Sequence, residues 1–155
     1  MKNARLYETH VQSTNLERSI AFYKKLDLEL AYVLNDRKAA LFWIGDPSIK
    51  EFMLGVWEVA EENFRKSHFA FHVPFKELLQ VPDFLKKREI SLIPSFGLDT
   101  SEPVVHGWMP SACYYFLDPD GNTLEYISVL QDQPKPDVGA VHLSTWNELI
   151  KKDVL

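Results

Sequence analysis

YFLDPDGNTLE, residues 115–125, is the stretch that decides the fold. Pro119 and Gly121 are typical of tight turns, and the β-prone residues on either side of them predict a hairpin. The alternation of side chains along the second strand puts Glu125 on the same face as three neighbours, Thr123, Ile127 and Val129. A carboxylate among such neighbours needs a partner or solvent. Glu125 is therefore a candidate functional residue, whereas the turn residues have a structural role.

The hydrophobic pattern on both sides of this hairpin predicts the same order of elements twice. The first half is predicted as β-α-β-β-β, with strands at 6–12, 28–34, 39–44 and 52–59 and a helix that ends near residue 26. The order recurs in the second half, with strands at 68–73, near 92, at 112–117 and at 123–130, and a helical stretch ending at 84–87. Residues 22–25 align without gaps on residues 84–87, which supports a twofold repeat.

Three local signals predict where the helices begin. Thr14 is followed three residues later by Glu17, and this spacing is typical of a capping box at the start of a first helix. Pro82 lies inside the second helical stretch, which predicts a short first turn and a main helix that starts at the proline. Ser144 or Thr145 is expected to cap a last helix after a proline-containing linker.

Length, charge and cysteine content exclude several classes of protein. At 155 residues and 46% hydrophobic composition, the chain has the size of one globular domain. The formal net charge is −5 and charged residues of both signs are mixed along the chain, so no nucleic-acid partner is expected. No apolar run approaches the length of a membrane span, so no membrane partner is expected either. The single cysteine, Cys113, and a polar N-terminus unlike a signal peptide predict a cytoplasmic protein.

Three segments resemble the helix, the strand and the hairpin of the vicinal oxygen chelate superfamily, which includes glyoxalases, bleomycin-resistance and fosfomycin-resistance proteins and extradiol dioxygenases. They are residues 15–23 (NLERSIAFY), 68–73 (HFAFHV) and 115–125. Asn15 stands where that helix usually has aspartate.

This resemblance covers residues 5–130 and implies an α+β, glyoxalase-like fold. Two βαβββ modules, residues 5–59 and 67–130, are expected to form a cup-shaped and mostly antiparallel sheet. Residues 131–155 are expected to form a C-terminal linker and a short helix that packs on the domain.

The resemblance also implies a set of metal ligands. In similar proteins one ligand comes from the first strand, one from the strand that opens the second module, and one from the last strand. On this pattern His68 and Glu125 are expected ligands. The first-strand position that usually supplies a ligand is occupied here by Glu8. A gap-free alignment of the two repeats instead pairs His10 with His72. Glu8 and His10 share one strand face, so either can reach a metal; we expect Glu8 to be the ligand and His10 to line the cavity, with coordination by His10 left open.

Imidazole and carboxylate donors suit Zn, Mn, Fe, Co or Ni at an open site. In such a cup the metal acts as a Lewis acid that stabilises an oxyanion on a small oxygen-rich substrate, with Glu125, His72 or His10 moving a proton. Gly55 occupies the position where lyases of this superfamily often supply a fourth carboxylate, which argues against an ordinary glyoxalase I site. The resemblance therefore implies a metal-dependent lyase, isomerase or thiol transferase.

A second class of function stays open, a metal-free protein that sequesters a small aromatic or antibiotic ligand. The glycine at position 55 and the four tryptophans favour it. His72 is equally compatible with a hydrogen-bonding role in the cavity. His106 is expected in a loop that either covers the cup or is merely ordered, and His142 is expected at the periphery. Cys113 is expected to be a small buried residue rather than a nucleophile.

The working unit is expected to be a homodimer, because in similar proteins the first module often pairs with the second module of a partner. The short charged connector at residues 60–66 limits how one module folds back over the other. On this hypothesis Glu8 and His10 of one subunit meet His68 and Glu125 of the other.

Overall fold

The computed structural model describes residue 2 and residues 4–153. This part of the chain contains ten β-strands and four α-helices: β1 (Glu8–Ser13), α1 (Leu16–Lys25), β2 (Glu29–Leu34), β3 (Ala39–Ile44), β4 (Phe52–Glu58), β5 (His68–His72), α2 (Phe75–Leu78), α3 (Val81–Lys86), β6 (Leu92–Ile93), β7 (Val104–His106), β8 (Ser111–Leu117), β9 (Thr123–Val129), β10 (Ala140–His142) and α4 (Leu143–Asp153). No helix among these residues has the length and apolar character needed to cross a membrane.

The chain divides into two compact units. The first consists of Met1–His68 together with Asp118–Thr123, and the second of Phe69–Leu117 together with Leu124–Leu155. The tip of the β8–β9 hairpin thus belongs to the first unit. Both halves of the chain follow the predicted β-α-β-β-β order, with β7 inserted in the second half and β10 added after it.

The first unit contains a four-stranded sheet in the order β1-β4-β3-β2. β1 runs parallel to β4, and the other neighbouring pairs are antiparallel. The register between β1 and β4 sets His10 directly beside Gly55. Tyr23 of α1 and Phe42 of β3 are both fully buried, and their ring centroids lie 5.7 Å apart.

The start of α1 differs in detail from the predicted capping box. The N-cap is Asn15, whose Oδ1 accepts a hydrogen bond from the backbone N–H of Arg18 at 2.9 Å. The Thr14 hydroxyl instead donates to Asp120 at 2.6 Å and accepts from the Arg18 guanidinium at 3.2 Å, so it binds side chains and not a backbone N–H at the start of the helix. The predicted cap was wrong because a tertiary partner took the side chain that the local pattern had assigned to the helix.

The hairpin tip contains two hydrogen-bonded carboxylates, Asp120, which binds Thr14, and Asp118. Asp118 accepts hydrogen bonds from the Tyr23 hydroxyl at 2.9 Å and the Asn122 side-chain amide at 2.7 Å. Burial, followed by the charge of Asp118, raises the pKa of Tyr23 far above its usual value, so its hydroxyl stays protonated and donates. As expected, the turn residues have a structural role.

The second unit contains a sheet in the order β10-β7-β8-β9-β5, with β6 also paired to β8. Pro82 lies in the first turn of α3, after the short helix α2, as the sequence predicted. The last helix begins at Leu143, so Ser144 and Thr145 lie inside it and neither is its N-cap. Glu102 takes over this role, accepting from the Ser144 backbone N–H at 2.7 Å and from its hydroxyl at 2.8 Å.

Candidate functional site

The residues predicted as ligands and proton carriers lie in both units. Glu8, His10 and His68 belong to the first unit, and His72 and Glu125 to the second. The Nδ1 atom of His68 lies 3.0 Å from the backbone oxygen of Thr123. A carbonyl oxygen only accepts, so the ring proton of His68 is on Nδ1 and Nε2 is the nitrogen that can act as a ligand.

His72 ends β5 and is exposed, whereas Glu125 is only 3% exposed on β9. Glu125 lies in a group of residues that the sequence did not predict. His106 of β7, Cys113 of β8 and Glu125 of β9 each offer one metal-type ligand atom, and these atoms lie within 4.8 Å of one another. All three residues are buried and come from three neighbouring strands of one sheet. His106 is therefore a strand residue, and the expectation that it lies in a loop was wrong.

The His106 ring is oriented by its neighbours. The Ser111 hydroxyl donates to the backbone oxygen of Met109 at 2.9 Å, and its oxygen lies 3.3 Å from His106 Nδ1. Because that hydroxyl hydrogen is already used, Nδ1 is the donor and carries the ring proton. The lone pair of Nε2 then faces the Tyr115 hydroxyl at 2.9 Å and the Cys113 sulfur at 3.4 Å. A metal-binding histidine requires this arrangement, in which one ring nitrogen donates to a neighbouring oxygen and the other presents its lone pair.

Burial raises the pKa of the Cys113 thiol well above its usual range, and the charge of Glu125 raises it further. The Tyr115 hydroxyl follows the same pattern, because burial and then the neighbouring Cys113 and Glu125 raise its pKa. Both groups keep their protons at neutral pH without a cation, and the thiol donates to the backbone oxygen of Val104 at 3.3 Å. As expected, Cys113 is buried, and its protonated thiol is no free nucleophile.

Aromatic rings surround His106. Trp108 stacks on its ring with centroids 4.8 Å apart and planes 12° apart, and Phe96 meets it edge-on at 5.4 Å. Phe96 and Trp108 are 56% and 45% exposed. Each ring therefore faces solvent on one side and contacts the buried His106 on the other. Phe96 has φ +54° in a tight turn closed by hydrogen bonds between Ser95 and Leu98. A bulky residue is disfavoured in this backbone region, so the turn holds the ring in place at a cost in strain.

The residues present in this group fit a divalent metal. They provide one imidazole, one thiol that can become a thiolate, and one carboxylate, a donor set that suits Zn or Co. A bound cation would reverse the electrostatics at Cys113, because a coordinating thiol loses its proton.

Comparison with known proteins gives matches in structure only. No protein-family model and no curated protein matches the chain. An integron cassette protein from the mobile metagenome of the Halifax Harbour sewage outfall superimposes with a TM-score of 0.69 and 28% identity, over 81% of this chain and 98% of that one. A glyoxalase/bleomycin resistance protein/dioxygenase from Nocardioides gives a TM-score of 0.61 and 22% identity, over 85% and 87%. The fosfomycin resistance protein FosX of Listeria monocytogenes, solved with Mn(II) and sulfate, gives 0.58 and 20%, over 84% and 94%.

The repeated βαβββ order and the two open sheets therefore define a glyoxalase-like α+β protein, as the sequence predicted. Solved structures described as glyoxalase, bleomycin-resistance, fosfomycin-resistance and dioxygenase proteins share this fold with the chain.

Proposed function

We propose that the protein is a metal-dependent enzyme of this superfamily that acts on a small oxygen-rich substrate as a lyase, isomerase or thiol transferase. The observation that carries the proposal is the convergence of His106, Cys113 and Glu125 from three neighbouring strands. Three protein ligands leave one position open on a four-coordinate ion, which is typical of catalytic rather than structural zinc. When bound, a divalent ion supplies Lewis-acid stabilisation of an oxyanion.

The other groups of the site support this function. Ser111 holds His106 in the tautomer that presents Nε2, and the Tyr115 hydroxyl keeps a proton 2.9 Å from the same nitrogen. Phe96 and Trp108 pack against the His106 ring. Burial of the three donor residues strengthens the electrostatic interactions among them.

Metal content tests the proposal directly. The purified protein, reconstituted with Zn²⁺ and then passed over a desalting column, is expected to hold about one ion per chain by elemental analysis. Cys113→Ala and His106→Ala should lose the ion, whereas His142→Ala, a histidine on β10 outside the group, should keep it. Co²⁺ in place of Zn²⁺ should give a thiolate charge-transfer band that Cys113→Ala abolishes. Full metal content in Cys113→Ala would overturn this ligand set.

The set expected from the sequence, Glu8, His68 and Glu125, stays a prediction, and the same assay distinguishes it. Glu8→Gln and His68→Ala should keep the metal if Cys113 and His106 are the ligands. If instead those two variants lose the metal while Cys113→Ala keeps it, the metal is bound as the resemblance implies. Glu125 belongs to both sets, so Glu125→Gln is expected to lose the metal in either case.

The alternative function, metal-free sequestration of an aromatic or antibiotic ligand, is favoured by one observation, the half-exposed rings of Phe96 and Trp108. Ligand binding that is unchanged by a chelator and abolished by Trp108→Ala would support it over the enzyme.

We further propose that residues 5–130 form one vicinal oxygen chelate domain followed by a C-terminal segment at 131–155, and that the protein is a cytoplasmic homodimer. The buried free thiol of Cys113 suits a reducing compartment. β1 and β2 are edge strands of one sheet, and β5 and β10 of the other. Such edges favour symmetric pairing. Light scattering at micromolar concentration should give the mass of a dimer, and a monomer would contradict the proposal.

A further inference from the structure

The C-terminal arm, residues 131–153, adds a strand beside the strand that carries His106. The arm consists of an extended linker, β10 and α4, and it lies beyond residues 5–130, which carry the family resemblance. β10 pairs antiparallel with β7, and the register sets Ala140 directly opposite His106. Without β10, β7 would be an edge strand of three residues, paired only with β8. The position of His106 therefore depends on the arm on one side and on β8 on the other.

Ala140 also contributes to the surroundings of the buried group. Its side chain packs against the cluster that Cys113 forms with Val104 and Tyr115. Directly opposed residues of an antiparallel pair point to the same face of a sheet. The arm thus supplies part of the wall on the face where His106 and Cys113 lie.

Gly107, the residue after His106, is in close backbone contact with the arm. Its N–H donates to the Gly139 carbonyl oxygen at 2.8 Å, and its own carbonyl oxygen accepts from the Lys135 N–H at 2.7 Å. A Cβ atom at position 107 would lie 2.6 Å from the Lys135 oxygen and 2.7 Å from the Gly139 oxygen. Both are backbone atoms, which cannot turn aside as the end of a flexible side chain can. Any side chain at position 107 would therefore push the arm away from β7.

The arm is also fixed beyond β10. The Leu143 N–H donates to the Pro103 carbonyl oxygen at 2.9 Å, just before β7, and Glu102 caps the helix that follows. Within the arm, the fully buried Trp146 donates to Asp132 at 2.9 Å and ties α4 to the linker. Contacts on both sides of β10 hold this short strand in one register against β7.

We propose that the C-terminal arm positions His106 for the metal ion, with Gly107 and Ala140 as positioning residues. The inference rests on the proposed function, because it needs an ion in the group around Cys113. A ligand must be held within about 0.5 Å of its productive position, and β10 restricts β7 on the side that β8 leaves open. Ion binding and docking of the arm are then coupled. The docked arm raises the affinity for the ion, and the ion stabilises the docked arm by the same factor.

The affinity for Zn²⁺, measured by competition with a metal-binding dye at constant pH, tests the positioning. Gly107→Ala places a methyl group against the backbone of the arm and should weaken Zn²⁺ binding at least about fivefold, the lower end of a typical coupling between two sites. Gly45→Ala is the matched control, because Gly45 has φ +81° in the first unit and an added carbon there meets nothing within 4 Å. It strains a turn without touching the arm, so the affinity should not change.

A second variant loosens the arm from its far end. Trp146→Leu removes the buried indole and its hydrogen bond to Asp132, and it should also weaken Zn²⁺ binding although Trp146 supplies no ligand atom. Trp43→Leu, on β3 of the first unit, is its control and should bind like the parent. If Gly107→Ala does not fold, Trp146→Leu decides the question. Weak binding in Gly107→Ala with parent-like binding in Trp146→Leu would mean that residue 107 acts on its neighbour directly, which overturns the role of the arm.

The reverse direction of the coupling separates positioning from simple support of the fold. Zn²⁺ should slow hydrogen exchange at the backbone amides of Ser144 and Trp146 in the parent, because the ion stabilises the docked arm. Glu125→Gln, which is expected to lose the ion, should show no such slowing. Equal exchange rates in the parent with and without bound Zn²⁺ would also overturn the inference.

The outcomes distinguish this inference from the proposed function. A parent protein that takes up no Zn²⁺ refutes the metal site and, with it, the role of the arm. A parent that holds one ion, with the same affinity in Gly107→Ala and Trp146→Leu, keeps the proposed function and overturns this inference alone.

Discussion

Replacement of Asp120 at the hairpin tip should strongly destabilise the protein. Its side chain is only 1% exposed. It accepts hydrogen bonds from five donors, namely the Thr14 backbone N–H at 2.9 Å, the Thr14 hydroxyl at 2.6 Å, the Ser13 hydroxyl at 2.9 Å, the Ser19 hydroxyl at 3.3 Å and Arg18 Nη2 at 2.6 Å. Asp120→Ala would leave several buried donors without an acceptor.

Hydrogen bonds to a charged group contribute about 1.5–3 kcal/mol each, but bonds to one carboxylate are not additive. Because several donors lose their acceptor at once, we expect Asp120→Ala to cost at least the about 1.5–3 kcal/mol of one such hydrogen bond. Urea unfolding followed by circular dichroism measures it. Asp36→Ala, an exposed residue in the turn after β2, should change stability by less than about 0.5 kcal/mol. A loss below about 1 kcal/mol for Asp120→Ala would refute the reasoning.

The same carboxylate predicts a pH dependence. Desolvation acts to raise the pKa of Asp120, but hydrogen bonds from Thr14, Ser13 and Arg18 outweigh it, and the pKa is lowered overall. A lowered folded pKa means that the stabilisation is complete above the unfolded value of about 3.9 and is lost as the pH falls through the folded value. The parent should therefore lose stability below about pH 4 more steeply than Asp120→Asn. Parallel curves for the two proteins would contradict this assignment.

Three further changes test other parts of the structure. Lys50→Asn should raise the stability by about 0.5–1 kcal/mol in thermal unfolding, because this exposed residue has φ +54° and asparagine tolerates that conformation better than lysine; a lower midpoint would contradict the strain. Glu102→Gln should destabilise the start of α4 by about 0.5–1 kcal/mol, seen as faster amide exchange at Ser144. Trp146→Phe removes the hydrogen bond from the buried indole to Asp132 at 2.9 Å, and should cost about 1–3 kcal/mol in urea unfolding.

Local sequence patterns were sufficient to predict most of the strands and the first helix. The β-prone runs at β2, β3 and β4 extend for six or seven residues each and are bounded by turn-like residues, which is enough to predict both the type and the approximate limits of a strand. Pro82 marked the start of α3 for a steric reason that does not depend on the rest of the fold.

Elements held by tertiary contacts could not be predicted in this way. β7 and β10 have three residues each, too few for a periodic signal, and they exist because they pair with each other. The group of His106, Cys113 and Glu125 has the same origin, since the register of β7 on β8 sets Val104 opposite Cys113 and His106 opposite Ser111. One signal was present in the sequence: the alternation of β8 puts Cys113 and Tyr115 on one face.

Gly55 shows how the meaning of a residue changes once its strand partner is known. In the sequence it counts as a missing carboxylate, which argues against one type of metal site and favours a metal-free binding protein. In the structure its partner is His10, and the absent side chain is the space that the imidazole ring fills. The missing side chain at position 55 therefore leaves room for the His10 ring. Nδ1 of that ring accepts a hydrogen bond from the Trp57 indole N–H at 2.6 Å, and Nε2 lies 3.4 Å from the Glu8 carboxylate. This follows from the parallel register of β1 and β4, since a shift of one residue would turn His10 to the other face of the sheet.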